Sequence, residues 1–377
     1  MEHILLSASL AFLITFFAIP IVIQVAKDKK LFDEPDERKV HKTVIPTLGG
    51  LGIFAGFIIA TLMGVPSGVA SELQYFAAAT TVIFFLGLKD DILVLSASKK
   101  FIGQLVAAGI VIKFGGVQLT DMHGFLGIHE IPHIASIILT IFTIIVITNS
   151  FNLIDGVDGL AGSLGVLTTL VFGIYFYFAG QLTYAVMALA LTGSIIAFLI
   201  YNFSPAKIFM GDTGSLLLGL VNSILVIKFI NVAGNPASSF TLEGSPAIGF
   251  AILMIPLFDT LRVFTLRILD RRSPFSPDRT HVHHFLLDIG FTHRMITFTC
   301  VSVNIGFIAL AYFLRQLGTT TVIGILLASA FAFIGIIFYS RPKNRSVASK
   351  TSAIANNNNI IKPRKILSLA PESVEAE

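Results

Sequence analysis

Tryptophan is absent from this chain, cysteine occurs once, and only 13% of the 377 residues are charged. Without indoles, anchoring at a membrane interface falls to Tyr, Phe, Lys and Arg, and Phe alone occurs 34 times. The single cysteine, Cys300, lies inside an apolar run, which excludes an intramolecular disulfide and a thiol-rich metal site. So little charge beside 54% hydrophobic residues and a mean hydropathy of +0.85 cannot furnish a polar shell, which excludes a water-soluble globule. The net charge of +4 needs no nucleic-acid partner, because inward-facing loops of membrane proteins normally carry a basic excess. Anionic lipids and phosphate ligands are compatible with it.

What the chain does have is a series of apolar runs, near residues 3–26, 48–66, 74–89, 101–115, 133–149, 160–178, 183–201, 214–231, 246–265, 295–314 and 320–340. Each approaches the roughly 20 helical residues that cross a hydrocarbon core. The expectation is an all-α polytopic integral membrane protein with about eleven transmembrane helices. Met1-Glu2-His3 offers no basic leader, and Lys27, Lys29 and Lys30 follow the first run, which therefore reads as a retained span with its N-terminus outside. Alternate connections hold every Lys and Arg except Lys113, Lys228 and Arg315, which places the C-terminus in the cytoplasm. Residues 1–340 read as one membrane-embedded domain, and 341–377, with Asn356 to Asn359 followed by KPRK, as a disordered cytoplasmic tail. The external connections, the longest near 116–132 and 233–245, are too short for a folded domain. No internal repeat is visible, which speaks against a cation-coupled secondary transporter built from inverted repeats.

Five acids lie at the ends of these runs: Asp90 and Asp91 in GLKDDI, Asp155 and Asp158 in NLIDGVDG, and Asp212 in FMGDTGS. On the eleven-span reading all five emerge on the cytoplasmic side. Carboxylates at the lip of a bilayer are costly unless they bind cations or take part in chemistry. Adjacent residues on a helix point in different directions, so Asp90 and Asp91 can serve different partners, although a solvated helix end beside Lys99 and Lys100 would look the same. Asp155 and Asp158, three apart, share a helical face, and Asn149 and Asn152 repeat that spacing. Such oxygens suit a hard divalent cation. Asp212, followed by Thr213 and Ser215, is both a metal-ligand candidate and a good helix N-cap.

The basic counterpart is RRSPFSPDRTHVHHF, with Arg271, Arg272, Arg279, His281, His283 and His284. Histidines alone could hold zinc, but the arginines repel a cation and favour phosphate. Lys42 and Thr47 in HKTVIPTLGG are further phosphate-contact candidates. Acids for a metal and bases for phosphates, at a membrane face, are what phosphoryl transfer requires. No GxxxxGK[ST] loop is present, so the donor is not held in the P-loop manner.

Five segments, PTLGG (46–50), FLGLKDD (85–91), NSFNLIDGVDGLAG (149–162), FMGDTGS (209–215) and HVHH (281–284), resemble in content and order those of the polyprenyl-phosphate N-acetylhexosamine-1-phosphate transferases. The resemblance, spanning residues from about 30 to 295, implies a multi-pass enzyme of the bacterial cytoplasmic membrane with its active site facing the cytoplasm. It implies transfer of a sugar 1-phosphate from a UDP-N-acetylhexosamine to undecaprenyl phosphate, with release of UMP, at the start of a cell-surface glycan. By matched motif positions, Asp90 would deprotonate or orient the lipid phosphate, with Asp91 supporting metal and phosphates. Asp212, helped by Asn152, would hold Mg²⁺, with Mn²⁺ as an alternative. Asp155 and Asp158 would contact the nucleotide, Asp158 its uracil, while Lys42, Thr47, Arg279, His281, His283 and His284 would bind the donor or its pyrophosphate. A homodimer is compatible with this reading. The peptidoglycan branch, acting on a UDP-muramoyl-pentapeptide, usually carries three consecutive histidines. Val282 interrupts that run here, so the resemblance favours the branch that takes a simple UDP-N-acetylhexosamine, most naturally UDP-N-acetylglucosamine.

Overall fold

Backbone polar groups find no partners in hydrocarbon, so apolar runs of this length satisfy them internally as helices. A computed structural model describes residues 1–29, 45–66, 71–271 and 280–341. Its first eight helices are α1 (Glu2–Asp28), α2 (Gly49–Gly64), α3 (Leu73–Ile92), α4 (Ala97–Lys113), α5 (His133–Ile154), α6 (Leu160–Phe178), α7 (Leu182–Asn202) and α8 (Gly211–Ala233). There follow α9 (Ser245–Ile252), α10 (Met254–Leu269), α11 (Val282–Ile289), α12 (His293–Leu314) and α13 (Thr319–Tyr339). The chain is thus a polytopic, helical membrane protein. Seven helices (α1, α5–α8, α12 and α13) are long and apolar enough to cross a membrane, and the bent pair α9–α10 makes an eighth candidate. The expected runs at 48–66, 74–89 and 101–115 do form helices, but α2 and α4 have only 16 and 17 residues and α3 carries Lys89, Asp90 and Asp91 in its last turn.

Helices α7 and α8 run through the centre, buried along most of their length. By contrast α1 buries one narrow stripe, Ile4, Ser7, Ala11, Thr15 and Ile19, against α2 and α7. Small residues allow that approach, as expected where lipid gives no hydrophobic drive between helices. A Cβ on Gly193 of α7 would lie 2.2 Å from the Ala8 carbonyl oxygen.

Two features depart from the expected plan. The connection between α4 and α5 contains a hairpin, β1 (Asp121–Phe125) paired antiparallel with β2 (Ile128–Glu130), turning through Leu126 and Gly127 at φ 52° and 77°. It rests on α13, where the Thr320 hydroxyl accepts a hydrogen bond from the Leu126 amide at 2.7 Å. More consequentially, the run at 246–265 is no single helix: α9 and α10 meet at Leu253 with an 83° bend. A break within an apolar helix frees backbone groups that need new partners. Asn304 of α12, fully buried, supplies both: its Nδ2 donates to the Ile252 carbonyl at 2.9 Å and its Oδ1 accepts from the Ile255 amide at 2.9 Å. Asn304→Leu should therefore lower stability by about 2–6 kcal/mol, the sum for two stranded buried groups. Thermal unfolding in detergent measures this; an unchanged midpoint would show that the bend is held by other means.

Candidate active site

The site is assembled around the N-terminus of α8, where the first amides of a helix have no partner of their own. They find one on α3. Asp91 accepts from the Asp212 amide at 2.7 Å, from the Thr213 amide at 3.0 Å and from the Thr213 hydroxyl at 2.5 Å. The cap that its sequence context offered to Asp212 is thus made by Asp91, and Asp212 is left to point elsewhere. Residues 46–50 lace onto the same end: Pro46 O accepts from the Phe209 amide at 2.7 Å, and the Gly49 and Gly50 amides donate to Phe209 O and Met210 O at 2.9 Å. Glycines make the approach feasible. A Cβ on Gly87 of α3 would lie 2.5 Å from Thr213 Cα, and one on Gly50 would lie 2.2 Å from the Gly214 nitrogen.

With both helix ends fixed, Asp90 and Asp212 come together on Lys100 at the start of α4. Its Nζ bonds Asp212 Oδ2 at 2.6 Å and also pairs with Asp90. Asp90 Oδ1 accepts from the Leu95 amide at 2.6 Å, which holds the chain as it leaves α3. Asn152, in the last turn of α5, donates through Nδ2 to Asp212 Oδ1 at 2.9 Å and to Ser215 Oγ at 3.0 Å. Its amide nitrogen faces Asp212, so Asn152 orients that carboxylate.

The α5–α6 turn supplies the other two acids, and they differ. Asp155, partly buried, accepts no hydrogen bond among the described residues. Burial, reinforced by the charges of Asp212, Asp91 and Asp158, raises its carboxyl well above the usual carboxylate range. Asp158 is buried and ties the turn to its neighbours: Oδ2 accepts from the Ala206 amide at 3.2 Å and lies 3.3 Å from His293 Nδ1, while its carbonyl accepts from Thr297. In this arrangement Asp158 braces the turn against the α7–α8 connection and α12. Gly159, at φ 75°, gives α6 its left-handed entry, and its amide donates to Asn202 Oδ1 at 2.9 Å.

The histidine segment packs against this turn. A Cβ on Gly156 would lie 2.6 Å from His283 Nε2, so HVHH and NLIDGVDG, over a hundred residues apart, share one surface. The His283 ring is buried and near His284, which together push it down to about 3, so it is neutral at neutral pH. His281 stands at the start of α11 with Nδ1 2.8 Å from Asp259 Oδ2. Lys42 and Arg279 lie outside the described residues. Thr47 is beside the α8 terminus, with its carbonyl at the crowded face of Gly211.

Among the described residues no three His, Cys, Asp or Glu side chains gather as a ready-made metal cluster. One observation nevertheless fits a divalent cation: an ammonium already lies between Asp90 and Asp212, so the two carboxylates converge on one cationic position. Two carboxylate donors suit an ion such as Mg²⁺ that keeps several waters. Two site residues escaped the motif reading, Lys100 and Asp259. The second had a signal, being a lone acid deep in the apolar run 246–265, where an ionisable residue is a functional hypothesis by default.

Fold and site together describe a polytopic membrane enzyme whose acids, lysine and histidines gather at one end of a helical bundle. The chain belongs to glycosyl transferase family 4, whose sequence profile matches residues 73–230. It is 35% identical over 303 residues to the probable undecaprenyl-phosphate N-acetylglucosaminyl 1-phosphate transferase of Bacillus subtilis (strain 168), covering 78% of this chain and 80% of that protein. The decaprenyl-phosphate N-acetylglucosaminephosphotransferase of Mycobacterium leprae (strain TN) is 33% identical, with 76% and 77% of the two chains covered. The undecaprenyl-phosphate alpha-N-acetylglucosaminyl 1-phosphate transferase of Escherichia coli (strain K12) is 29% identical, with 75% and 76% covered.

Gly211 stands at φ 70°, where an added Cβ would sit 2.1 Å from the Thr47 carbonyl oxygen and 2.7 Å from the Asp91 carboxylate. Gly211→Ala should cost more than the roughly 1–2 kcal/mol of a left-handed L-residue alone. A thermal midpoint equal to that of the unsubstituted protein would show that the α8 terminus is not packed this way.

Proposed function

We propose that this protein transfers N-acetylglucosamine 1-phosphate from UDP-N-acetylglucosamine to undecaprenyl phosphate at the cytoplasmic face of a bacterial inner membrane. The observation that carries the proposal is the meeting of Asp90, Lys100 and Asp212 at the ends of α3, α4 and α8, in a chain whose relatives act on polyprenyl phosphates and are named for N-acetylglucosaminyl phosphate transfer. Orientation follows from the Lys and Arg asymmetry, with α1–α8, the α9–α10 pair, α12 and α13 as eleven crossings, the N-terminus outside and the C-terminus in the cytoplasm.

The reaction joins two anions. An oxygen of the lipid phosphate attacks the donor phosphorus that carries the sugar, a new P–O–P bond forms, and the bond to UMP breaks. Little covalent work falls to the protein; positioning and charge compensation dominate. Asp90, held by the Leu95 amide, is the group that orients the lipid phosphate or takes its proton, and Lys100 compensates negative charge between the reactants. Asp212 and Asp90 would hold Mg²⁺, with Asn152 keeping Asp212 in place. When bound, that ion would neutralise developing charge on the diphosphate. Thr47 and the histidines, with Lys42 and Arg279 from segments outside the described residues, would serve the donor phosphates. His283, being neutral, contributes by hydrogen bonding. Asp155 and Asp158, on the α5–α6 turn, would contact the nucleotide.

Purified protein with Mg²⁺, undecaprenyl phosphate and a panel of UDP-sugars should release UMP best with UDP-N-acetylglucosamine and only when the lipid is present. Asp212→Ala and Lys100→Met should each lower turnover by about 10²–10³, the range for losing one preorganised electrostatic contact. Full activity in Asp212→Ala would refute the assigned site. Chelation of divalent metal should abolish UMP release and added Mg²⁺ restore it, and activity persisting in excess chelator would remove the metal from the proposal.

A further inference from the structure

Asp259 is 1% exposed and sits on α10, just past the 83° bend that turns this half of the run toward the catalytic end. A buried carboxylate is costly unless charge and hydrogen bonds compensate it. Here the compensation comes from the entry to α11 and from Arg262 one turn further along α10. Asp259 Oδ1 accepts from the Val282 amide at 3.0 Å, the first free amide of α11, and from Arg262 Nη2 at 2.9 Å. Asp259 Oδ2 faces His281 Nδ1 at 2.8 Å, and Arg262 also donates to the Thr280 carbonyl.

That pattern fixes more than a loop. An imidazole nitrogen facing a carboxylate carries the proton, so the carboxylate sets the tautomer and the plane of the ring. The other nitrogen of His281, Nε2, has no hydrogen-bond partner among the described residues and is the one left for a ligand. The ring lies parallel to His283 at 5.7 Å and 6°, and His283 in turn packs on Gly156 beside Asp155. Orientation set at Asp259 therefore reaches the surface where the α5–α6 turn and the histidines meet.

We infer that Asp259 is a positioning residue, acting through His281 to present Nε2 to the diphosphate of a nucleotide donor, with Arg262 as the cation that pairs with the buried carboxylate and holds it in place. The inference rests on the reading that the histidine segment faces the donor phosphates. It concerns a residue outside the five sequence motifs and specifies which nitrogen of His281 meets the ligand.

The test measures binding of UDP and of uridine by calorimetry to the full chain in detergent, without turnover. Asp259→Asn should weaken UDP binding about tenfold or more, the range for losing a carboxylate behind a histidine, with uridine binding and the thermal midpoint little changed. Asp259→Glu, which keeps the charge, should recover part of the loss. His281→Ala should weaken UDP similarly, and the double variant should be no worse than His281→Ala alone, because the two residues act as one unit. Losses that multiply in the double variant, uridine binding that falls along with UDP, or unchanged UDP binding in Asp259→Asn would each overturn the inference. UMP release is measured in parallel. A protein that shows this binding pattern but transfers no sugar phosphate refutes the transferase reading and leaves the positioning role standing.

Discussion

Two carboxylates at the edge of a bilayer repel one another and resist leaving water, and the Lys100 ammonium between Asp90 and Asp212 offsets both costs at once. The three charged groups come from three helices, so their meeting fixes how α3, α4 and α8 end relative to one another. A cation position shared by two acids is also the feature that phosphoryl chemistry can use, since the same place can neutralise charge that builds up on phosphate. Structure and chemistry here draw on one electrostatic arrangement.

That arrangement depends on hydrogen bonding and close packing next to it. Asp91 satisfies the first amides of α8, and a carboxylate capping a helix N-terminus contributes about 1 kcal/mol. The neighbouring carboxylates Asp90 and Asp91 therefore divide the labour: one faces the ammonium, the other the helix end. Gly50, Gly87 and Gly211 let α2, α3 and the 46–50 segment close on α8 to distances that any side chain would block. Removing a methyl-sized space at one of these positions would act on the site through geometry, without altering a charge.

The broken helix α9–α10 extends the same logic to the far wall. An uninterrupted helix would carry Asp259 and Arg262 straight along the apolar run. The bend, held by Asn304, swings them toward α11, where Asp259 meets His281 and Phe285 is flanked by the guanidinium groups of Arg262 and Arg341 at 5.4 and 4.5 Å. An intramembrane acid thus becomes affordable because the backbone deviation that places it also delivers its partners.

Composition and the length of the apolar runs were enough to determine a helical, membrane-crossing chain, because hydrocarbon leaves the backbone few alternatives. The five polar segments were likewise legible, since charge is rare in this sequence and its positions stand out. Their division into roles was not. That Asp91 rather than Asp212 caps α8, that Asn152 turns its nitrogen to Asp212, that Asp158 is occupied by Ala206 and His293, and that Asp259 belongs with His281 were decided only by tertiary structure. The physical reason is that burial and hydrogen bonding depend on which groups face one another across helices, a relation that spacing along a single chain does not contain.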